Sequence, residues 1–172
     1  VLGEGHFVAK LQKTSGENVM LKSAIFNPVS KDMEKQWLEF SRATFSKQPF
    51  SDMQLTMFGE KLFAVPENVP TLRGLKALRT GVWLGSLQGS KQKPRFEPSH
   101  SLALALRQEE LGERLELSPN DEKLQRYMQG HELESEGQDG WLVITVAGFP
   151  LGWGRRSKNI VKNAYPKGLR QN

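Results

Sequence analysis

The chain has 172 residues, 37% hydrophobic and 25% charged, which suffices for one ordinary core or two small ones and is too apolar for a disordered chain. It contains no cysteine, which excludes disulfides, thiolate metal sites and a cysteine nucleophile, and its longest apolar runs, such as Leu102 to Leu106, are too short to span a bilayer. The formal net charge of +5 is concentrated: Ala147 to Asn172 holds six basic residues and no acid, whereas the preceding 146 residues hold 18 basic against 19 acidic ones.

In chain order, Phe7, Ala9 and Leu11 alternate with Val8, Lys10 and Gln12, the period of a strand. This strand begins almost at Val1, with no start methionine and no signal sequence, so the chain is expected to be a piece of a longer, cytoplasmic protein. From Val29 the period lengthens. Ser30 as N-cap, Asp32 and Glu34 in the first turn, and Met33, Trp37 and Phe40 at helical spacing predict a helix from Lys31 to about Phe45. Met53, Leu55 and Met57, then Gly59-Glu60, then Leu62, Phe63 and Val65 predict a hairpin ended by Pro66 and Pro70. A short helix follows over Thr71 to Arg79, and "VWLGSL" reads as another strand. "QGSKQKPRFEP" is rich in turn formers and lacks periodicity, which places a domain boundary near Lys91 to Pro94.

In the second half, Ser99 can cap a helix through Leu102, Ala103 and Leu106, and "ERLEL" is a strand through Leu115 and Leu117. Ser118-Pro119 with Asp121 marks a helix start, and Gly130 a helix stop. "WLVITVA" reads as a buried strand, and "GFPLGWG" with the basic tail as irregular strand and loop, with Phe149 in the core.

Catalytic and metal constellations are weak. His6, His100 and His131 lie in separate elements, and "HELES" from His131 has Ser135 where a zinc-binding helix needs a second histidine. Ser99-His100 suits capping better than a nucleophile and base, because adjacent helical residues do not face each other. The pairs Glu109-Glu110 and Glu132 with Glu134 suit a solvated face. "GEG" at Gly3 to Gly5 precedes a strand instead of following one, unlike a phosphate-cradling loop. The basic stretch is richer: its cations suit phosphate, its aromatics suit stacking on unpaired bases, and Gly148, Gly152 and Gly154 suit close backbone approach. A solvated tail is the bland alternative, and a membrane surface fits poorly because no amphipathic helix accompanies the charge.

"GEGHFVAKL" (Gly3 to Leu11), "RFEPSHSLALAL" (Arg95 to Leu106) and "GFPLGWGRRSKNIVKNAYPKGLR" (Gly148 to Arg170) together resemble the C-terminal region of bacterial ribosomal RNA cytosine-5 methyltransferases of the Nol1/Nop2/Sun type, the RsmF-like group. The resemblance implies an α+β chain with three parts. Residues 1–17 would be the last strand of a Rossmann-like catalytic domain, 18–93 a small intermediate α/β domain, and 94–172 a PUA-like mixed pseudo-barrel. It implies S-adenosylmethionine as cofactor of the catalytic domain and none in this chain. It implies as partners ribosomal RNA, of the small subunit, and the N-terminal methyltransferase domain, with neither membrane nor metal. The family acts through two cysteines, one attacking cytosine C6 and one assisting release. This chain has neither, so no methyl transfer is expected from it alone.

Within the basic stretch the residues expected to meet RNA are Arg155, Arg156, Lys158, Lys162, Lys167 and Arg170 through phosphate, and Trp153 or Tyr165 by stacking. Gly154, Pro166 and Gly168 are expected to shape turns. A stand-alone PUA-like RNA-binding protein is the alternative within the binding class, and a hydrolase built on His100 or His131 the alternative enzyme.

Overall fold

The computed structural model describes residues 14–16, 26–69, 80–90 and 92–171. The expected strand over 7–11 and helix over 71–79 lie outside these residues.

Helix α1 spans Lys31–Thr44. The Ser30 hydroxyl accepts the Met33 N–H at 3.3 Å, Asp32 and Glu34 occupy the positive end, and Arg42 the negative end. Met33, Trp37, Phe40 and Thr44 recur every three or four residues and are all buried, so the helix turns one apolar stripe inward. Four strands follow as an antiparallel meander: β1 (Met53–Phe58), β2 (Lys61–Pro66), β3 (Val82–Ser90) and β4 (Lys93–Pro98). Gly59, at φ +60°, makes the β1–β2 turn.

The stretch expected to be aperiodic is the far end of the β3–β4 hairpin, in which Gln88 faces Arg95, Gly89 faces Pro94 and Ser90 faces Lys93. Backbone pairing holds it, and its outer residues are mostly exposed, so no apolar alternation marked it in the sequence. A division at 93/94 therefore falls inside a hydrogen-bonded hairpin.

Ser99 caps α2 (His100–Ala105), accepting the Leu102 N–H at 3.0 Å. The second sheet has the order β5 (Arg114–Leu117), β7 (Gly140–Val146), β8 (Phe149–Ser157), β9 (Ile160–Asn163), β6 (Leu133–Glu134), parallel between β5 and β7 and antiparallel elsewhere. Helix α3 (Glu122–Gln129) starts later than expected. The Asp121 N–H donates to the Ser118 carbonyl at 3.0 Å, closing a turn through Pro119, and Asp121 takes the cap, accepting the Lys123 N–H at 2.8 Å. Gly130, at φ 93°, ends the helix as expected.

"GFPLGWG" is strand with one irregularity: it is most of β8, whose register against β7 shifts at Leu151, and it is entered through Ala147 and Gly148 at φ 50° and 80° and left through Lys158 and Asn159 at φ 52° and 63°. Both are two-residue hairpin turns with two positive φ values, the turn whose twist matches that of paired strands. Phe149, expected in the core, is 73% exposed beside the first turn.

The chain is α+β, as expected, with two apolar clusters. Trp37, Phe40, Phe45, Phe96, Leu102, Val143 and Trp153 form one that draws on both sheets, α1 and α2. Leu117, Tyr127, Leu133, Leu142, Ile144 and Val161 form the other, against the opposite face of the second sheet.

Candidate nucleic-acid interface

Side chains alternate along β8, so Trp153 and Arg155 share one face while Gly152, Gly154 and Arg156 share the other. Both faces of β8 are covered, so the alternation does not by itself separate inward from outward: Trp153 is buried and Arg155 exposed on one face, and Arg156 is buried on the other. Trp153 is 1% exposed: its indole N–H donates to the Ser99 carbonyl at 2.8 Å, and its ring lies 5.8 Å from Phe40 and 6.2 Å from Trp141. Tyr165 is buried against Tyr127 at 5.3 Å and His100 at 5.5 Å. Both aromatics expected to stack on bases are thus core residues in this structure. Each carries more apolar area than the short sheet can leave uncovered.

Arg156 is buried as well. Its guanidinium donates to the Glu113 carboxylate at 3.0 Å, the Gln138 carbonyl at 3.1 Å and the Ser135 hydroxyl at 3.1 Å, tying the β6–β7 loop to the sheet. Arg170 is half-buried and donates to the Tyr165 carbonyl at 3.3 and 3.2 Å. The glycines permit close approach, but to core side chains. A Cβ at Gly152 would sit 2.6 Å from the Tyr127 hydroxyl, and one at Gly154, a strand position instead of the expected turn, would collide with Val161.

The exposed cations are Arg155, Lys158, Lys162 and Lys167. Arg155 on β8 stands directly opposite Lys162 on β9, and Lys158 occupies the turn joining those strands, where its N–H donates to Asp139 at 2.9 Å. Asp139, Gly140, Arg155, Arg156, Ser157 and Lys162 line a groove of about 420 Å³. Arg155 also lies over the ring of Trp141, its pairing partner on β7, at 5.8 Å. Trp141 is half-buried and lines a second cleft, of about 210 Å³, together with Arg95 and residues of α1. Neither Trp141 nor Arg95 was singled out from sequence. The signal was Trp141's position at the first apolar step of β7, at the sheet's end, where burial stops.

Ser99 and His100 form no catalytic pair. The serine hydroxyl donates to the Trp83 carbonyl and caps α2, while burial lowers the His100 pKa and its Nδ1 has no hydrogen-bond partner. Among the described residues no group of three or more His, Asp or Glu is placed to hold a metal ion, and no helix is long and apolar enough to cross a membrane.

Comparison with known proteins yields two family matches. Residues 39–106 match the RsmF rRNA methyltransferase first C-terminal domain, and residues 114–171 match the methyltransferase RsmF PUA domain. A Psychromonas ingrahamii protein named ribosomal RNA small subunit methyltransferase F is 25% identical over 175 residues, covering 96% of this chain and 36% of that protein. Proteins of the same name from two Vibrio cholerae strains are 25% identical over 174 residues, with the same coverage. The chain spans about a third of the length of these relatives.

Proposed function

Carrying both C-terminal domains of the RsmF-like methyltransferases, the chain belongs to that family, and on that premise we propose that it binds ribosomal RNA through the outward cations of the β8–β9 hairpin. The observation that carries this reading is the pairing of Arg155 with Lys162 directly across two strands, with Lys158 in the turn. Like charges facing each other across strands destabilise a sheet, and a phosphate between them removes the repulsion. Arg155, Lys158 and Lys162 are the phosphate contacts, and Lys167 adds charge at the periphery. Arg156 and Arg170 support the hairpin and the tail from beneath.

The catalytic step belongs to a Rossmann-like domain that binds S-adenosylmethionine and supplies the cysteines this chain lacks. The chain's part is to hold small-subunit ribosomal RNA for that domain, in the cytoplasm. The sheet order and the two family matches support placing the joint between intermediate and PUA-like units at about 107–113, with β4 and α2 on the intermediate side.

Fluorescence anisotropy with a labelled single-stranded RNA at increasing salt tests the reading. Three neutralised phosphates give a slope of about −2 in log affinity against log salt. Charge reversal at Lys158 or Lys162 lowers the affinity and flattens the slope by about 0.7 each. An affinity indifferent to salt and to both substitutions rules the interface out.

A further inference from the structure

The two clefts that meet at Arg155 differ in chemistry. The larger carries Arg155, Arg156 and Lys162 against a single carboxylate, Asp139, whose oxygen already accepts the Lys158 N–H, and it suits phosphate. The smaller has an apolar back wall of Phe40 and Phe96, the exposed part of Trp141, and mixed charge from Glu39, Asp139, Arg95 and Arg155. Carboxylates at its mouth oppose a phosphate, while the flat indole and guanidinium favour a neutral ring.

We propose that this smaller cleft, between α1 and the β7–β8 hairpin, receives one unpaired base of the RNA whose backbone lies on Arg155, Lys158 and Lys162; the proposal rests on the RNA reading above. Arg155 belongs to both clefts, so a nucleotide with its phosphate in one places its base in the other. The Trp141 ring with Arg155 over it forms a planar wall, the type of surface on which single-stranded bases stack.

On the facing wall, Gln36 and Glu39 lie one helical turn apart, and the Gln36 amide donates to the Glu39 carboxylate at 3.0 Å. That bond leaves an amide oxygen and a second amide N–H beside the cleft, a set able to pair with the edge of a base, while the other Glu39 oxygen lies 3.9 Å from Lys35 Nζ. A volume of about 210 Å³ is smaller than the roughly 300–1,000 Å³ typical of drug-sized ligand sites, as suits a lone base. A base within a duplex is stacked on both sides and cannot enter. The cleft therefore selects single strands or extruded bases.

The walls come from both matched segments, Glu39 and Arg95 from the first and Trp141 and Arg155 from the second. Base selection is accordingly a property of the joined pair, absent from the PUA-like unit taken alone.

The test titrates the full chain, isotopically labelled, with a short mixed-sequence single-stranded RNA and separately with the blunt duplex of the same sequence. The indole resonance of Trp141 is assigned through Trp141→Phe. The single strand is expected to shift that resonance and to bind more tightly than the duplex. Trp141→Ala should reduce single-strand affinity roughly 5- to 150-fold, the loss of one stacked base. Gln36→Ala, at the half-buried rim, should reduce it several-fold without changing duplex affinity, which guards against a Trp141 variant that folds poorly. If both RNAs bind alike and the Trp141 resonance stays still, the cation interface stands and the base cleft is wrong. If neither RNA binds, both readings are wrong.

Discussion

Trp153 and Arg156 are the side chains of the basic stretch that most invite an RNA role, and both are turned inward. Their substitution would lower RNA binding for the wrong reason. Trp153→Ala removes a fully buried indole and its bond to the Ser99 carbonyl, costing about 3–5 kcal/mol. Arg156→Glu places a carboxylate beside Glu113 in a buried site, costing on the order of 3–5 kcal/mol. Lys158→Glu, on an exposed turn, changes stability by less than about 0.5 kcal/mol while weakening RNA binding. Urea unfolding of the three variants alongside RNA titration separates the classes, and equal destabilisation by all three contradicts the assignment. The sequence showed how much charge lay here but not which way it pointed. The strand period alone does not resolve it, because both faces of β8 are covered and Arg155 shares its face with the buried Trp153.

At the scale of elements, the β7–β8 hairpin is held at its tip by a carboxylate. Glu116 on β5 accepts the Thr145 hydroxyl and, at 2.9 Å, the Gly148 N–H, and these bonds, the Thr145 one foremost, lower its pKa. A carboxyl whose folded pKa is depressed contributes its full stabilisation above its ordinary titration range and loses it as pH falls through the lowered value. The Gly148 amide should therefore exchange slowly at neutral pH and faster only below the ordinary carboxylate range. Glu116→Ala, which removes both acceptors, should make exchange fast at every pH, and an unaltered pH profile in that variant would show that the tip is held by something else. Regular elements with side-chain signals were legible: α1 from Ser30 and the Met33, Trp37, Phe40 stripe, and β7 from its apolar run. The hairpin turns were less so, because Ala147 and Lys158 adopt positive φ without the usual asparagine or glycine, under the demand of strand twist.

Across the whole molecule, the two segments that match separate domains of the family do not have separate interiors. Phe40 and Phe45 from the first pack on Trp153 from the second, at 5.8 and 6.3 Å between ring centroids, while the stretch joining them is held by the Phe45–Leu111 backbone pair and by the Ser46 hydroxyl, which donates to the Glu109 carbonyl at 2.8 Å. Unfolding should be one cooperative event: thermal traces from near-ultraviolet tryptophan signals and far-ultraviolet backbone signals should superimpose, and two resolved transitions would refute a shared core. The α+β class and the family were legible because motifs survive in linear order. The pairing of β3 with β4 was not, since their polar ends resemble a linker until the backbone pairs them.

The Ser99 junction fixes something further. This residue takes its N–H to the Leu84 carbonyl in the first sheet, caps α2, and receives the Trp153 indole from the second sheet. Three elements converging on one residue leave the middle of the molecule no freedom to bend. The strand that bears Arg155 is thereby tied to the first sheet through a single residue, so the exposed cations of the β8–β9 hairpin keep their place relative to the first sheet.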